Sequence, residues 1–308
     1  MLLGYHHPMG ADVLVLVVTY NSAAVIAPLL ETLPAALIGL SWEAVVVDNG
    51  SSDSTTDVVS RYSDIQLVAA TNDGFAAGVN AGVAHAGTTN SILVLNPDVT
   101  LRPRSVASMY AALQRPGIGI VAPKVFDVEG RLHHSLRREP SILRAVGLNR
   151  TGLPMFSEYL SKDVEYSSPH QVDWALGAVL LVSRSCWDRV GPWDESFFLY
   201  SEETDFCLRA KELGLATWFE PAAGVTHIGG ASGQSPSTHV MQIVNRVRLY
   251  RRRHSALAGA LYYALTVLSE MTWMARGGGP SSRAAVLALL LPSRRPEVLA
   301  ASDSLVPH

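Results

Sequence analysis

The sequence predicts an α/β fold built on a doubly wound, mostly parallel sheet. Two observations predict it: short β-branched runs alternate with stretches of helical periodicity, and each early strand ends in a polar cluster. The expected strands are Val13–Val18, Ala44–Asp48, Ile65–Ala69 and Ile92–Leu95. Between them, Ala23–Leu40, Asp53–Tyr62, Phe75–Ala86 and Arg104–Gln114 carry apolar residues at helical spacing, with Ser52-Asp53 and Pro103 as start signals. The strand ends carry Thr19-Tyr20-Asn21, Asp48-Asn49-Gly50-Ser51-Ser52 and Asn96-Pro97-Asp98. Ligands of doubly wound sheets bind beyond the carboxyl ends of the strands, so the three clusters are expected on one ligand-facing rim.

Further along, short strands and turns are expected from Gly117 to Pro140, including Ile118–Ala122, followed by a less regular stretch over 141–170. A second compact block runs from Val172 to Gly230. It holds an apolar run at Ala175–Val182, a carboxylate-rich helix at Ser201–Leu213, and a strand pair at Ala216–Phe219 and Val225–Ile228. After Ser237 a helical region contains Arg246, Arg248, Arg251, Arg252, Arg253 and His254, then the apolar stretch Leu257–Ala275, interrupted by Glu270. That stretch is at the short end for a spanning helix and carries a charge. Two readings stand side by side: helices packed on the domain, or an interfacial anchor whose arginines meet lipid phosphates.

A chain of 308 residues has ample core for a buried site, which excludes a disulfide-stapled mini-protein. A net charge of -3 and a pI near 6.4 supply no basic field for nucleic acid, so no nucleic-acid partner is expected. Cys186 and Cys207 lack CxxC spacing and read as reduced, buried thiols, which favours a cytoplasmic protein. No signal peptide is read at the N-terminus, and His6-His7 reads as a disordered pair.

The chemistry lies at the strand ends and in the second block. No GxGxxG follows the first strand, which argues against a dinucleotide-binding dehydrogenase. A lysine-bearing, glycine-rich phosphate loop is also missing after that strand, which argues against a nucleotidyltransferase. Asp98, at a buried strand end and followed by a helix, is placed either to hold a divalent cation that bridges two phosphates or simply to close a turn after Pro97. Asp48 faces the rim, where a carboxylate accepts from a nucleobase imide or a ribose hydroxyl. Asn72-Asp73-Gly74-Phe75 through Asn80 reads as a loop feeding a helix, its small residues admitting either a ligand or a neighbouring segment.

In the second block, Phe197-Phe198-Leu199-Tyr200 leads into Glu202, Glu203 and Asp205. Carboxylates at a helix N-terminus complement its dipole; beside aromatic walls they also gain the raised pKa of a general base. Adjacent positions point Glu202 and Glu203 differently, so that one orients an acceptor and the other takes its proton. His227, after a strand and before glycines, is either a structural histidine or a second metal ligand.

Taken in order, VVTYN, VVVDNGSSDST, NDGFAAGVNAG, LVLNPDV, DWALGAVLLVSR, FFLYSEETDFCLR and VTHIGGAS resemble glycosyltransferase family 2, and within it the bacterial rhamnosyltransferase-like branch. The resemblance covers about residues 12–254. It implies a GT-A fold, with a nucleotide-sugar-binding half over 1–123, an acceptor and catalytic half over 124–236, and a C-terminal helical region over 237–308 that contacts the membrane or packs on the domain. It also implies a nucleoside-diphosphate sugar donor, a divalent cation (Mn2+ or Mg2+) and inversion at the anomeric carbon.

Residue by residue, the resemblance makes Asp48 the base- and ribose-binding carboxylate and Asp98 the metal-binding acid of a DxD-type motif, with Asn96 replacing the first acid. Glu203 stands where the family commonly has the aspartate of a Glu-Asp pair, which leaves the base open among Glu202, Glu203 and Asp205. Thr19, Tyr20, Asn21, Asn72, Gly74, Phe75, Asn80 and Asn96 fall on the donor side; Trp174, Gly177, Ala178 and Tyr200 fall on the acceptor pocket; His227 joins Asp98 at the metal. The branch suggests dTDP-L-rhamnose as donor and a cell-wall or polysaccharide precursor on a polyprenyl diphosphate as acceptor, handled at the inner face of the plasma membrane. The alternative is a non-catalytic protein of the same fold that binds a sugar nucleotide or a lipid carrier.

Overall fold

A computed structural model describes residues 10–148, 151–229, 235–277 and 279–300. His6, His7 and Gly230 lie outside them. The first half runs β1 (Ala11–Thr19), α1 (Ile26–Ala36), β2 (Trp42–Asp48), α2 (Thr55–Val59), β3 (Ile65–Ala69), α3 (Phe75–His85), β4 (Thr89–Leu95), β5 (Val99–Leu101), α4 (Ser105–Leu113) and β6 (Ile118–Phe126). The second continues with β7 (Leu132–His133), β8 (Leu136–Arg137), α5 (Ile142–Ala145), β9 (His170–Val172), β10 (Trp174–Ala175), β11 (Val179–Ser183), α6 (Arg184–Val190), α7 (Glu202–Glu212) and β12 (Ala216–His227). Four helices follow: α8 (Pro236–Arg253), α9 (Ala256–Ala275), α10 (Gly279–Leu290) and the short α11 (Glu297–Ala300).

The main sheet has the order β3-β2-β1-β4-β11-β6-β12-β5. Strands β3, β2, β1 and β4 are parallel, as are β6 and β12, whereas β11 runs antiparallel between β4 and β6. Continuous apolar runs such as Val13–Val18 are needed because both faces are covered. One face buries Leu14, Leu16, Val45 and Val47 against α3; the other buries Val13, Val15, Val46 and Leu93 among residues of α1 and α4. Val17 pairs with Leu95, while Thr19 pairs with Asp48 and Asp48 with Ala69. The polar clusters therefore emerge side by side on one rim.

Several sequence expectations are corrected. The first helix is shorter than Ala23–Leu40, because Ser22 carbonyl contacts shape its entry and Pro34 weakens its last turns. Asp53 does not cap α2 alone; it accepts from the backbone N–H groups of Ala23 and Thr55 and ties two rim loops together. Asp98 is followed by the short strand β5 before any helix. The strand pair at 216–228 is a single strand, β12, whose register shift between Glu220 and Gly224 broke its period in the sequence. The run Ala175–Val182 is divided into β10 and β11 around Gly177.

The C-terminal helices share a separate cluster of Val240, Val244, Val247, Tyr250, Tyr262, Ala285 and Leu289. Among the described residues no helix is long and apolar enough to cross a membrane. Cys186 and Cys207 are free and buried, and burial pushes each thiol up to about 12. A thiol reagent at pH 8 should therefore leave the folded protein unlabelled and modify both cysteines only after denaturation.

Candidate active site

The site begins with strand pairing. β12 pairs antiparallel with β5, placing His227 opposite Val99. Ile228 then donates its N–H to the Asp98 carbonyl at 3.0 Å, which extends the pairing by one step. Asp98 and His227, 129 residues apart, meet with Nε2 3.1 Å from Oδ1. Asp98 is buried, and His227 Nδ1 is buried without a hydrogen-bond partner among the described residues. His133 of β7 stacks on His227 with ring centroids 6.3 Å apart, and burial together with the neighbouring His227 holds its pKa low. The sequence reading did not single out His133, although the His133-His134 doublet was a visible signal.

At the neighbouring strand ends, Asp48 is buried and accepts from the backbone N–H and hydroxyl of Ser51. Thr19 Oγ1 is buried without a partner among the described residues. Tyr20 and Asn72 are exposed, and Asn96 donates its backbone N–H to Ala178 across to β11. Asn21 adopts a left-handed φ of 49° and uses its side-chain oxygen to accept from Ser52 and Asp53, closing the 51–53 loop.

Three residues expected on the donor side, Asn80, Gly74 and Phe75, make contacts within the fold. Asn80 accepts from the Trp193 N–H and donates to the Trp193 carbonyl and the Glu195 carboxylate, so its amide is spent joining α3 to the segment before α7. Gly74, at φ 103°, lies where a Cβ would come within 2.4 Å of the Phe198 carbonyl oxygen. Phe75 donates its N–H to that same carbonyl and packs its ring beside Trp193. The glycine admits a neighbouring segment, the second of the two readings its loop allowed.

That segment carries the carboxylates. Tyr200 and Ser201 are both left-handed, at φ 69° and 80°, a conformation that costs non-glycine residues free energy. From α8, the fully buried Asn245 donates to the carbonyls of Leu199 (2.9 Å) and Tyr200 (3.2 Å), while Arg248 donates to Asn245 and to the Ser196 carbonyl. α7 then starts at Glu202. Glu202 and Glu203 are buried, and Oε2 of each lacks a partner among the described residues. Burial raises both pKa values, the charge of Glu203 raises Glu202 further, and backbone N–H groups of the first turn and Gly177 offset part of the rise at Glu203.

Asp205, the third candidate base, differs from its neighbours. Its carboxylate takes the Arg209 guanidinium at 2.6 Å, with Arg253 at 3.8 Å. Gly177 leaves room for Glu203, because a Cβ there would sit 3.1 Å from the Glu203 Cβ. Ala178 is buried next to it, and Tyr200, raised by burial and then by Glu202 and Glu203, lines the same corner. Trp174 donates its indole N–H to the Arg138 carbonyl, and the buried Arg137 guanidinium lies over the rings of Tyr159 (3.8 Å) and Trp174 (5.8 Å). Neither Arg137 nor Asn245 was read as a site residue. A polar side chain on the buried stripe of α8 was the available signal for Asn245.

Two outcomes follow. Replacing Asn245 with Leu keeps the volume but strands two carbonyls, so chemical denaturation should show a loss of about 1–3 kcal/mol. A carboxyl whose pKa is higher folded than unfolded costs stability as pH rises above its unfolded value near 4.5, levelling off above the folded value. Glu202→Gln should therefore unfold at a higher denaturant concentration than the natural protein, with the gap widening as pH rises from 4 and narrowing as it falls.

Comparison with known proteins accords with this geometry. Glycosyl transferase family 2 matches residues 14–169. The chain is 32% identical over 215 residues to N-acetylglucosaminyl-diphospho-decaprenol L-rhamnosyltransferase of Mycobacterium tuberculosis (strain ATCC 25618 / H37Rv), covering 64% of this chain and 70% of the relative. It is 25% identical over 228 residues to rhamnosyltransferase WbbL of Escherichia coli (strain K12), covering 70% and 83%. Among solved structures, the mannosyltransferase PcManGT from Pyrobaculum calidifontis, in complex with GDP-Man and Mn2+, superposes with a TM-score of 0.57 at 17% identity, covering 92% of this chain and 82% of that one. This chain belongs to glycosyltransferase family 2, in its rhamnosyltransferase-like branch, and is a transferase built on the GT-A fold.

Proposed function

We propose that this glycosyltransferase moves L-rhamnose from dTDP-L-rhamnose, with inversion and with the help of Mn2+ or Mg2+, to a cell-wall or polysaccharide precursor carried on a polyprenyl diphosphate. The observation that carries the reading is a buried carboxylate pair, each member with one oxygen lacking a partner among the described residues, on a fold whose strand rim also holds a carboxylate–imidazole pair. The rhamnosyl donor and the polyprenyl acceptor are supported by the names of the relatives, one of which acts on a decaprenol-linked precursor.

In this reading, Asp48 accepts from the base or ribose of the donor. The residues present fit a divalent cation: Asp98 offers a hard oxygen and His227 an imidazole nitrogen 3.1 Å from it. No group of three His, Cys, Asp or Glu ligands forms among the described residues, so a cation held by Asp98 and His227 would need further oxygen ligands, which the donor diphosphate could supply. Such a cation supplies positive charge against the departing diphosphate. Glu203 takes the proton of the acceptor hydroxyl, a task for which a raised pKa makes it a stronger base. Glu202 repels the charge on its neighbour and helps to orient the acceptor. Asp205, held by Arg209 and Arg253, neutralises those cations and braces α7. The carboxylate takes up only a proton, so direct displacement requires no covalent sugar–enzyme intermediate.

Transfer from dTDP-L-rhamnose to a polyprenyl-diphosphate-linked acceptor, measured with and without manganese, tests the proposal. Glu203→Gln should lower kcat about 10²–10⁴-fold with the donor KM little changed, and Asp98→Ala should remove the metal dependence. Turnover that survives Glu203→Gln and disappears with Glu202→Gln would move the base to Glu202. Turnover that survives both changes would refute the catalytic assignment. Stronger thermal stabilisation by a UDP or GDP sugar than by a dTDP sugar would refute the donor.

A further inference from the structure

α9 has two faces that differ in polarity and in fate, the more polar one being the buried one. Tyr262, Thr266 and Glu270 are buried, with Tyr262 stacked on Tyr250 of α8 and Glu270 accepting from His239. The opposite side is exposed and consists of Leu257, Leu261, Ala264, Leu268, Met271 and Ala275. Their spacing of four, three, four, three and four residues puts them on one line along the helix, about 27 Å long at 1.5 Å per residue. Leu257 is 83% exposed and Leu268 is 53% exposed, and no charged side chain interrupts the line. On α10, Leu287 and Leu290 are exposed in the same way at spacing that continues from Arg283, and Arg294 follows in the turn after the helix. Contiguous exposed apolar surface of this kind marks an interaction site.

Charge selects the partner. From Ser255 to Ala300 the chain contains four arginines, Arg276, Arg283, Arg294 and Arg295, and two carboxylates, the buried Glu270 and the exposed Glu297. This region is thus net positive in a chain whose overall charge is -3. Arg276, Arg283 and Arg294 are exposed, and no ion pair to a carboxylate forms at any of them among the described residues. An apolar line flanked by arginine matches the boundary of an anionic bilayer, where leucines enter the acyl region and guanidiniums meet phosphates. A second copy of the same face would set arginine against arginine along α9 and α10, neither of which exposes a carboxylate.

The hairpin is also coupled to the site. α9 packs against α5, where a Cβ on Gly147 would lie 2.6 Å from the Ser269 hydroxyl. α8, which packs on α9, carries the Asn245 that holds Leu199 and Tyr200. We infer that the exposed face of α9, with the arginines of the α9–α10 hairpin, docks this protein on an anionic lipid surface without crossing it. The inference rests on this face alone and stands whether or not the sugar donor proposed above is correct.

Co-sedimentation of the full chain with vesicles tests it. Vesicles of phosphatidylcholine with phosphatidylglycerol should carry the protein down, and pure phosphatidylcholine should retain at least tenfold less. Leu261→Asp with Leu268→Asp should abolish sedimentation, while the exposed positions leave the melting temperature and its shift by nucleotide unchanged. Arg276→Gln with Arg283→Gln should remove the preference for the anionic lipid. Protein that stays in solution with both vesicles, or aspartate variants that sediment as well as the natural chain, would overturn the inference. So would a dimer in analytical ultracentrifugation that Leu268→Asp dissociates and that shows no vesicle binding, because the face would then be covered by a second copy. Loss of the nucleotide-induced shift with vesicle binding retained would count against the donor site only.

Discussion

Two carboxylates held side by side in a low-dielectric corner, with no cation between them, form the constraint on which much of this structure depends. Burying Glu202 and Glu203 with one oxygen of each lacking a partner among the described residues opposes folding; burial raises both pKa values, and the charge of Glu203 raises Glu202 further. The surrounding fold offsets that cost. The first-turn N–H groups of α7 face the pair with the positive end of the helix dipole, and Arg209 and Arg253 are taken up by Asp205. The left-handed Tyr200–Ser201 turn aims the helix start, and it persists because Asn245, Arg248 and the Gly74–Phe198 contact hold it from two sides. Strain concentrated in one turn and braced by remote elements is characteristic of a preorganised site.

The second feature of the rim arises from sheet topology. A three-residue strand, β5, follows Asp98 directly and pairs with the end of β12. That pairing sets the distance between the carboxylate and His227 through main-chain hydrogen bonds, which are less tolerant of drift than loop contacts. The parallel register of β2, β1 and β4 places Asp48 and Thr19 on the same rim. The proposed donor-binding and metal-binding roles thus fall to residues whose positions are set by the ladder, whereas the proposed base lies on a helix positioned by packing.

The C-terminal helices join these themes. α8 reaches the strained turn with Asn245 and Arg248, and reaches Asp194 and Ser196 with Arg252. The buried pair of Arg246 and Glu158, with Tyr262 accepting from the same guanidinium, ties α8 and α9 to the irregular segment after α5. An ion pair at this depth gives little net stability but penalises arrangements that separate its members. The hairpin thereby fixes the orientation of the proposed acceptor side relative to whatever surface its exposed face meets.

The sequence by itself determined the order of strands and helices from β1 to β4, since β-branched runs and helical periods are local signals, and β3 runs over the expected Ile65–Ala69; the three-residue β5 is too short to leave such a signal. It also determined that Asp48 ends a buried strand and that Asp98 lies just past one, because strand ends follow from the same patterns. Tertiary structure alone decided the rest. Asp205 was indistinguishable from Glu202 and Glu203 until Arg209 and Arg253 met it. Nothing local in the sequence shows that the Asn80 amide bonds Trp193 and Glu195, more than a hundred residues away. β12 remained hidden as two strands because a register shift interrupts its alternation. For α9 the sequence left open packing on the domain or an interfacial anchor, and the fold answers by burying one side and exposing the other. The reason is common to all four: composition and period report what a residue prefers locally, whereas partners distant in the chain decide which charges are neutralised, which amides are used and which apolar faces are covered.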